Sequence, residues 1–383
     1  MPWKRESPMD QRICLIDDWL TGRFSKSELS RQYGISRPTL DKWLRRFTEH
    51  GKAGLQELSR RPLSSPSRTD DAILERLVAE KQQRFDWGPK KLITRLRQVE
   101  PEIRWPAPST AGEWLERFGL VTPRRLRKRH VYAPPILREG LQPNQVWCTD
   151  FKGHFRTQDG RWCYPLTLSD HATRYLLACR GLERPTGAQT RPWFEWAFRE
   201  YGLPEAIRSD NGSPFASSGL ARLSSLAVWW IRLGIYPERI RPGRPDQNGR
   251  HERMHRTLKA ATLKPAAADL LHQQIAFERF REDYNTQRPH EALGMQVPAA
   301  CYTPSLRPYP THLPDIDYPA DMKTRRVRGN GEIKWQGCLI FLSEALIGEW
   351  VALREVDTDT WELYFSDYKL GRLEPGTTQV RVI

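Results

Sequence analysis

The sequence has no long apolar stretch. Its 383 residues contain no run of about 18 consecutive apolar side chains, the length that a helix needs to cross a membrane. The first residues, MPWKRESPMDQR, also lack the apolar segment of a secretory signal. We therefore expect neither a membrane-spanning protein nor an exported one.

Closely spaced cysteines are absent too. The six cysteines are widely scattered and form no C-x-x-C pair: Cys14, Cys148, Cys163, Cys179, Cys301 and Cys338. A disulfide scaffold and a zinc-binding N-terminal module are therefore not expected. The pattern favours the reduced cytoplasm, with each thiol buried.

Acidic residues are outnumbered by basic ones. The chain has 61 Lys and Arg against 46 Asp and Glu, a net charge of +15. Residues 1–140 carry +11 and residues 141–310 carry +7, whereas residues 311–383 carry −3. This distribution indicates a polyanionic partner for the first two regions, although scattered basic residues also serve solubility.

Residues 1–58 are predicted to form a helix-turn-helix domain. Capping-type serines, Ser25 and Ser36, precede the second and third helices, and Gly34 supplies the turn between them. Leu40, Trp43, Leu44 and Phe47 recur at helical spacing and should face inward. The residues left outside are the candidate DNA contacts: Arg37, Thr39, Lys42, Arg45 and Arg46. An ordinary three-helix bundle with a solvated face is the alternative.

Residues 66–122 are predicted to form a second helix-turn-helix domain. Its third helix has an apolar stripe of Ala111, Trp114, Leu115 and Phe118. Glu113 and Glu116 on the outer face make DNA reading by this unit less favourable. Lys90 and Lys91 are candidate DNA contacts at the start of the helix before it. A basic linker, residues 123–142, follows, and we expect it to track phosphates through Arg124, Arg125, Arg127, Lys128 and Arg129.

Residues 143–300 alternate strand and helix patterns. Such alternation predicts an α/β domain in which helices cover a mixed sheet. A hairpin is expected between "RWCYPLTL" and "YLLAC", with Asp170 in its turn. After a Pro-rich linker, residues 318–383 show five short alternating segments, which predict a small β-barrel.

Three acids stand where strand or helix ends could converge. Asp150 ends the first predicted strand, Asp210 ends a later one, and Glu252 lies near the start of a helix that Asn248 could cap. Convergent carboxylates on a mixed sheet suit Mg²⁺, which prefers oxygen ligands. Two such ions can support phosphoryl transfer.

The stretch around Glu252 also fits a different chemistry. His251-Glu252-Arg253-Met254-His255 is an H-E-x-x-H motif, which is typical of zinc peptidases, and Glu278 could serve as a third ligand. Four basic residues on the same helix disfavour a dication there, and this hypothesis leaves Asp150 and Asp210 unexplained. Without zinc, the two histidines would face DNA or pack beside a metal site.

Four separated stretches carry a resemblance to a known family. "VWCTDFKG", "SDNGSPF", "RPGRPDQNGRHERMHRTLK" and "YNTQRPHEALGMQVP" resemble, in this order, the signatures of bacterial insertion-sequence transposases related to retroviral integrases. The resemblance covers about residues 9–300 and implies an RNase H-like core. It also implies that Asp150, Asp210 and Glu252 are catalytic residues that bind metal.

The resemblance leaves one position to decide. The spacing that is most common in that family would place the third acid at Asp246, in a Gly/Pro loop, rather than at Glu252. We favour Glu252, because a helix holds a side chain more rigidly than such a loop. Basic residues flank Glu252 and are expected to contact DNA: Arg250, Arg253, Arg256 and Lys259.

These observations together predict a DNA transposase in the bacterial cytoplasm, associated with the nucleoid when it is bound to DNA. It would bind the terminal inverted repeats, use two Mg²⁺ or Mn²⁺ ions to cleave the 3′ ends, and join them to double-stranded target DNA. Joining two ends implies a homodimer or a larger homo-oligomer. The alternative is a catalytically inactive, transposase-derived regulator that only binds DNA.

Overall fold

The computed structural model describes residues 7–58, 69–121, 137–217, 219–240, 248–263, 265–377 and 379–381. The chain divides into two compact units, Met1–Arg68 and Thr69–Ile383. None of the helices in the described ranges combines the length and apolar character that membrane crossing requires. The basic run at 124–129 and the loop that contains Asp246 lie outside the described residues.

The first unit contains three helices: α1 (Pro8–Leu20), α2 (Lys26–Gln32) and α3 (Arg37–His50). Ser25 caps α2 in a capping box with Glu28, and Ser36 caps α3, as the sequence predicted. Gly34 has a φ of 62°, a left-handed conformation that glycine adopts without strain. The predicted inward face of α3 packs into the core of this unit, with Phe47 only partly buried.

Three more helices begin the second unit: α4 (Asp71–Gln83), α5 (Pro89–Val99) and α6 (Pro108–Arg117). Ala111 and Leu115 are fully buried in their shared core, as predicted. The prediction for Phe118 is wrong, because this ring follows the end of α6 and is 52% exposed.

The central domain is built on a mixed sheet, as predicted, and this sheet has six strands. The strands are β1 (Val146–Phe151), β2 (Phe155–Arg156), β3 (Trp162–Asp170), β4 (Leu176–Leu182), β5 (Ala206–Ser209) and β6 (Tyr236–Arg239). β1 pairs antiparallel with β3 and parallel with β5, which in turn pairs parallel with β6. β4 forms the predicted hairpin with β3. Asp170 closes its turn by accepting hydrogen bonds from the Thr173 amide and hydroxyl.

Helices cover both faces of this sheet. On one face Leu166 and Leu168 of β3 pack with α7 (Gly187–Tyr201) and α8 (Ser225–Arg232). On the other face Cys163 and Cys179 pack with α9 (Gly249–Thr262) and α10 (Leu270–Thr286). A short helix, α11 (Pro298–Cys301), follows. The alternation of strand side chains therefore divides the core into two layers.

The α4–α6 helices are attached to this domain by ion pairs. Arg84 at the end of α4 contacts Asp283 of α10 at 2.6 Å. Arg288, just after α10, contacts Asp86 at 2.7 Å. This contact surface is polar, because charged side chains from both sides meet across it.

The C-terminal region has six strands rather than the predicted five. They are β7 (Lys323–Arg326), β8 (Glu332–Trp335), β9 (Cys338–Phe341), β10 (Trp350–Asp357), β11 (Thr360–Phe365) and β12 (Tyr368–Leu373). A four-stranded sheet has the order β12-β11-β10-β7, and β8 and β9 form a separate hairpin. The predicted barrel is not confirmed, since no ladder joins the two sheets within the described residues. The Trp335 and Trp361 rings pack edge to face at 4.8 Å instead.

All six cysteines are free thiols. Cys148, Cys163 and Cys179 are buried, as expected for thiols within the core. The prediction of burial is wrong for Cys14 and Cys338, which are exposed.

Candidate active site

The sheet brings Asp150 and Asp210 to the same edge. β1 and β5 are parallel neighbours with a constant offset, in which Val146 pairs with Ala206 and Cys148 with Arg208. The same offset continued along the chain places Asp150 beside Asp210, just after β5. Because paired strands lie about 5 Å apart, the two acids start from adjacent backbone positions.

The Asp210 carboxylate lies in a tight turn. Its Oδ1 accepts a hydrogen bond from the Gly212 amide at 3.1 Å. Asn211 donates its side-chain amide to the Ile240 carbonyl at 2.7 Å, which connects the turn to the end of β6. A Cβ atom at Gly212 would lie 3.0 Å from Oδ2 of Asp210. The glycine therefore leaves room for the carboxylate.

Glu252 lies in the first turn of α9 and is exposed, in contrast to its neighbours His251, Met254 and His255, which are buried. Asn248 occupies the N-cap position, but its side chain makes no capping hydrogen bond, so the predicted Asn cap is wrong. Packing of the inner face of α9, rather than a cap, holds this helix in place.

Burial and the neighbouring acids disfavour the charged form of Asp150. Burial, followed by the charge of Asp210 and in smaller part that of Glu252, raises the pKa of the Asp150 carboxyl to about 7. Two like charges near a half-buried carboxylate are an unfavourable arrangement unless a cation is present. Across the described part of the chain, however, no three His, Cys, Asp or Glu side chains are gathered closely enough to hold a metal ion.

The two histidines of the H-E-x-x-H motif point into the domain. His251 and His255 are 2% and 3% exposed, and the Nε2 atoms of both contact the Thr167 hydroxyl, at 2.7 and 2.6 Å. Burial lowers the pKa of both imidazoles, that of His251 to about 3. They are therefore packing residues beside Asp150, and the alternative that they face DNA is wrong.

The zinc hypothesis fails on the same geometry. The two Nε2 atoms face a hydroxyl of β3 rather than an open cleft, and Glu252 lies on the exposed side of the helix. Glu278 is paired with Arg180 at 2.6 Å and with Arg281 at 2.9 Å. Among the residues that the structure describes, there is therefore neither a third ligand nor a site open to a peptide carbonyl.

Basic side chains surround the exposed side of α9. Arg250, Arg253, Arg256 and Lys259 are all exposed. Sequence reasoning missed Arg174, which lies in the β3–β4 turn and donates, as Arg250 does, to the His171 carbonyl. Burial, and then the charge of Arg250, lowers the pKa of Arg174 to about 10. An arginine beside the "SDHAT" turn was the only signal for it in the sequence.

The predicted DNA contacts in the helical units differ in exposure. Arg37, Lys42 and Arg45 are exposed, whereas Thr39 is half-buried. Arg46 donates to the Gln56 carbonyl at 2.6 Å, so this guanidinium also holds its own unit together.

Lys90 and Lys91, at the start of α5, are not equivalent. Lys90 is exposed, whereas Lys91 is half-buried. Burial, and then the charge of Arg288, lowers the pKa of Lys91 to about 8. Lys91 is therefore less available to DNA than Lys90.

Family models match most of the chain in consecutive blocks. Two models described as "Integrase core domain" match residues 140–245 and 233–298. A "Helix-turn-helix domain" matches residues 11–62 and a "Homeodomain-like domain" matches residues 39–115. The "IS481 family transposase, C-terminal domain" matches residues 322–381.

Individual proteins show the same relationship. The chain is 27% identical to the "Insertion element IS407 uncharacterized 31.7 kDa protein" of Burkholderia multivorans, over 62% of this chain and 82% of that protein. It is 26% identical to the "Insertion element IS476 uncharacterized 39.2 kDa protein" of Xanthomonas euvesicatoria, over 76% and 81%. Among solved structures, the HTLV-2 integrase catalytic core domain in complex with magnesium aligns at 17% identity and a TM-score of 0.34, over 43% of this chain and 99% of that one.

The domain matches and the insertion-element relatives agree with the helical units and the mixed sheet described above. The chain is therefore similar to proteins of the integrase superfamily, and in particular to those of bacterial insertion sequences.

Proposed function

We propose that this protein cleaves the 3′ ends of its insertion sequence and joins them to target DNA, with Asp150, Asp210 and Glu252 as the catalytic carboxylates. The observation that carries the proposal is the pairing of β1 with β5, which places two acids at one sheet edge. The integrase core match over residues 140–298 and the helix-turn-helix matches support the same role.

The chemistry of the three carboxylates, rather than their spacing in this structure, suits two divalent cations such as Mg²⁺ or Mn²⁺. All three side chains offer carboxylate oxygens, the ligands that these hard cations prefer. The pKa of Asp150, raised by burial and by Asp210, supports a site whose charge conflict a cation would relieve. When bound, such ions would activate the attacking oxygen and stabilise the leaving one.

The reaction class is hydrolysis followed by transesterification at phosphorus. A water oxygen first replaces the 3′ oxygen at the element's end, which frees a 3′-OH. That hydroxyl then attacks a target phosphodiester, so that one P–O bond breaks for each one that forms. No nucleotide cofactor is therefore required.

The basic residues would hold DNA across the site. Arg250, Arg253, Arg256 and Lys259 line the exposed side of α9 next to Glu252, where they can neutralise phosphates. The helix-turn-helix units would bind the terminal inverted repeats, with Arg37, Lys42 and Arg45 facing the DNA and with the basic linker along the backbone. Two ends must meet in one reaction, which calls for a homodimer or a larger assembly.

A strand-transfer assay tests this proposal. The substrate is DNA that carries the flanking sequence of the gene, with Mg²⁺ or Mn²⁺, and the variants are Glu252→Gln and Asp246→Asn. We expect joined products with Asp246→Asn and none with Glu252→Gln, because a helix holds a carboxylate more rigidly than a Gly/Pro loop does. Loss with Asp246→Asn alone would assign the third acid to the loop. DNA binding without joining by any form would identify a regulator.

A further inference from the structure

The buried histidines connect the helix that carries Glu252 to the strands that carry Asp150. His251 and His255 project from the inner face of α9, and Thr167 of β3 lies directly opposite Asp150 in the β1–β3 ladder. Ser169 Oγ contacts His251 Nδ1 at 2.8 Å. The Thr167 hydroxyl also donates to the Asp150 backbone carbonyl at 3.1 Å. His255 Nδ1 lies 3.7 Å from Asp150 Oδ2, which is too far for a hydrogen bond.

Counting protons orders these contacts in one direction. The Asp150 carbonyl can only accept, so the single Thr167 proton goes to it. The Thr167 oxygen then accepts from the Nε2–H groups of both His251 and His255. His251 Nδ1 is left bare and accepts from the Ser169 hydroxyl. The two imidazoles are therefore the same tautomer.

We propose that Ser169, His251 and Thr167 form a one-way hydrogen-bond chain, joined at Thr167 by His255, that ends at the Asp150 carbonyl and fixes this residue relative to α9. These four side chains are positioning residues, since all four are buried and act through Asp150. The proposal rests on the proposed function in one respect, namely that Asp150 and Glu252 hold a divalent cation together.

Hydrophobic packing alone does not account for these four side chains, because all of them are polar and buried. Each of the four polar side chains is at most 6% exposed, and a buried polar group without a partner is costly. The four side chains serve as hydrogen-bond partners for one another, which makes the arrangement rigid and specific. A carboxylate whose backbone is held in this way needs less reorganisation when a cation binds, as with the groups that orient other metal ligands.

Thr167→Val tests the chain with little change in shape. Thr167→Ser keeps the hydroxyl, and Thr149→Val is a matched control. Thr149 is also fully buried, on β1, but its hydroxyl has no hydrogen-bond partner among the described residues. Mn²⁺ binding to the full-length protein is followed by electron paramagnetic resonance. DNA binding in EDTA and the melting temperature are measured for every variant.

We expect Thr167→Val to weaken Mn²⁺ binding by about 10-fold, the lower end for loss of a group that orients a metal ligand. Thr167→Ser should stay within about 3-fold of the wild type, since it retains the hydroxyl. DNA binding in EDTA should not change. Thr149→Val should bind Mn²⁺ as the wild type does. Unchanged Mn²⁺ affinity in Thr167→Val would overturn the proposal, even if strand transfer by the wild type were confirmed.

The tautomers provide a second test that needs no destabilised variant. In metal-free wild-type protein with ¹⁵N-labelled histidine at pH 8, the proposal requires the proton on Nε2 of both His251 and His255. His251→Gln and His255→Gln serve to assign the signals. A proton on Nδ1 of either histidine would refute the chain. Nε2–H tautomers at both positions in a protein that neither binds Mn²⁺ nor joins DNA would support the chain and reject the proposed function.

Discussion

Replacing Asp150 by Asn should stabilise the metal-free protein, and more so at high pH. The pKa of the folded carboxyl is about 7, against 3.8 for an aspartate carboxyl in water, mainly because of burial and Asp210. The folded state therefore holds a proton between these values that the unfolded state has released. The contribution of Asp150 to the stability of the wild type falls as the pH rises from about 4 to about 7 and is constant above that range.

The size of the effect follows from this shift. Three pKa units at about 1.4 kcal/mol each amount to about 4 kcal/mol in total, of which about 2.5 kcal/mol falls between pH 5 and pH 8. The Asp150 side chain is 24% exposed, and water screens part of the interaction, so we expect about 2 kcal/mol. The Asn side chain cannot ionise. Its stabilising effect at pH 8 should exceed that at pH 5 by this amount.

Thermal unfolding in EDTA measures the difference. About 2 kcal/mol corresponds to a shift of about 4–8 °C for a domain of this size. Asp315→Asn, at an exposed carboxylate, is the control and should change the melting temperature equally at both pH values. Mg²⁺ should stabilise the wild type at pH 8 but not Asp150→Asn. An equal effect of Asp150→Asn at pH 5 and pH 8 would refute the charge conflict.

Three further predictions concern other parts of the chain. Gly212→Ala should lower strand transfer by about 10-fold or more, because the added Cβ would crowd the Asp210 carboxylate at 3.0 Å. DNA binding in EDTA should be retained. Strand transfer at the wild-type rate would show that the turn can relax. Arg174→Gln should weaken DNA binding and reduce the dependence of log K on log salt by about one unit, if Arg174 neutralises a phosphate; an unchanged slope in a binding titration would contradict this. Leu115→Ala should destabilise the α4–α6 helices by about 2–5 kcal/mol, whereas Phe118→Ala should have little effect, because Leu115 is fully buried and Phe118 is 52% exposed. Hydrogen exchange in these helices measures both effects. Equal losses of stability would contradict the assignment of Leu115 to the core and Phe118 to the surface.

Local patterns in the sequence were sufficient for the helical units and for the order of elements in the central domain. The capping serines of α2 and α3, the glycine turn and the inward residues of α3 all depend on contacts within about one helical turn. The strand-helix alternation predicted the mixed sheet, since each strand and each helix has its own local pattern of apolar residues. The closed C-terminal barrel and the burial of Phe118 were wrong, because each depends on contacts between elements that are distant in the sequence.

The sequence by itself also determined which residues to consider at the site: Asp150, Asp210, Glu252 and the two histidines. It could not assign the H-E-x-x-H motif, because the same spacing fits a zinc ligand pair and the inner face of a packed helix. Only the tertiary structure decided this, by placing the Thr167 hydroxyl within 2.7 Å of both imidazoles and leaving Glu252 exposed. Helical periodicity specifies which side chains share a face, but the partner of that face comes from a strand more than 80 residues away.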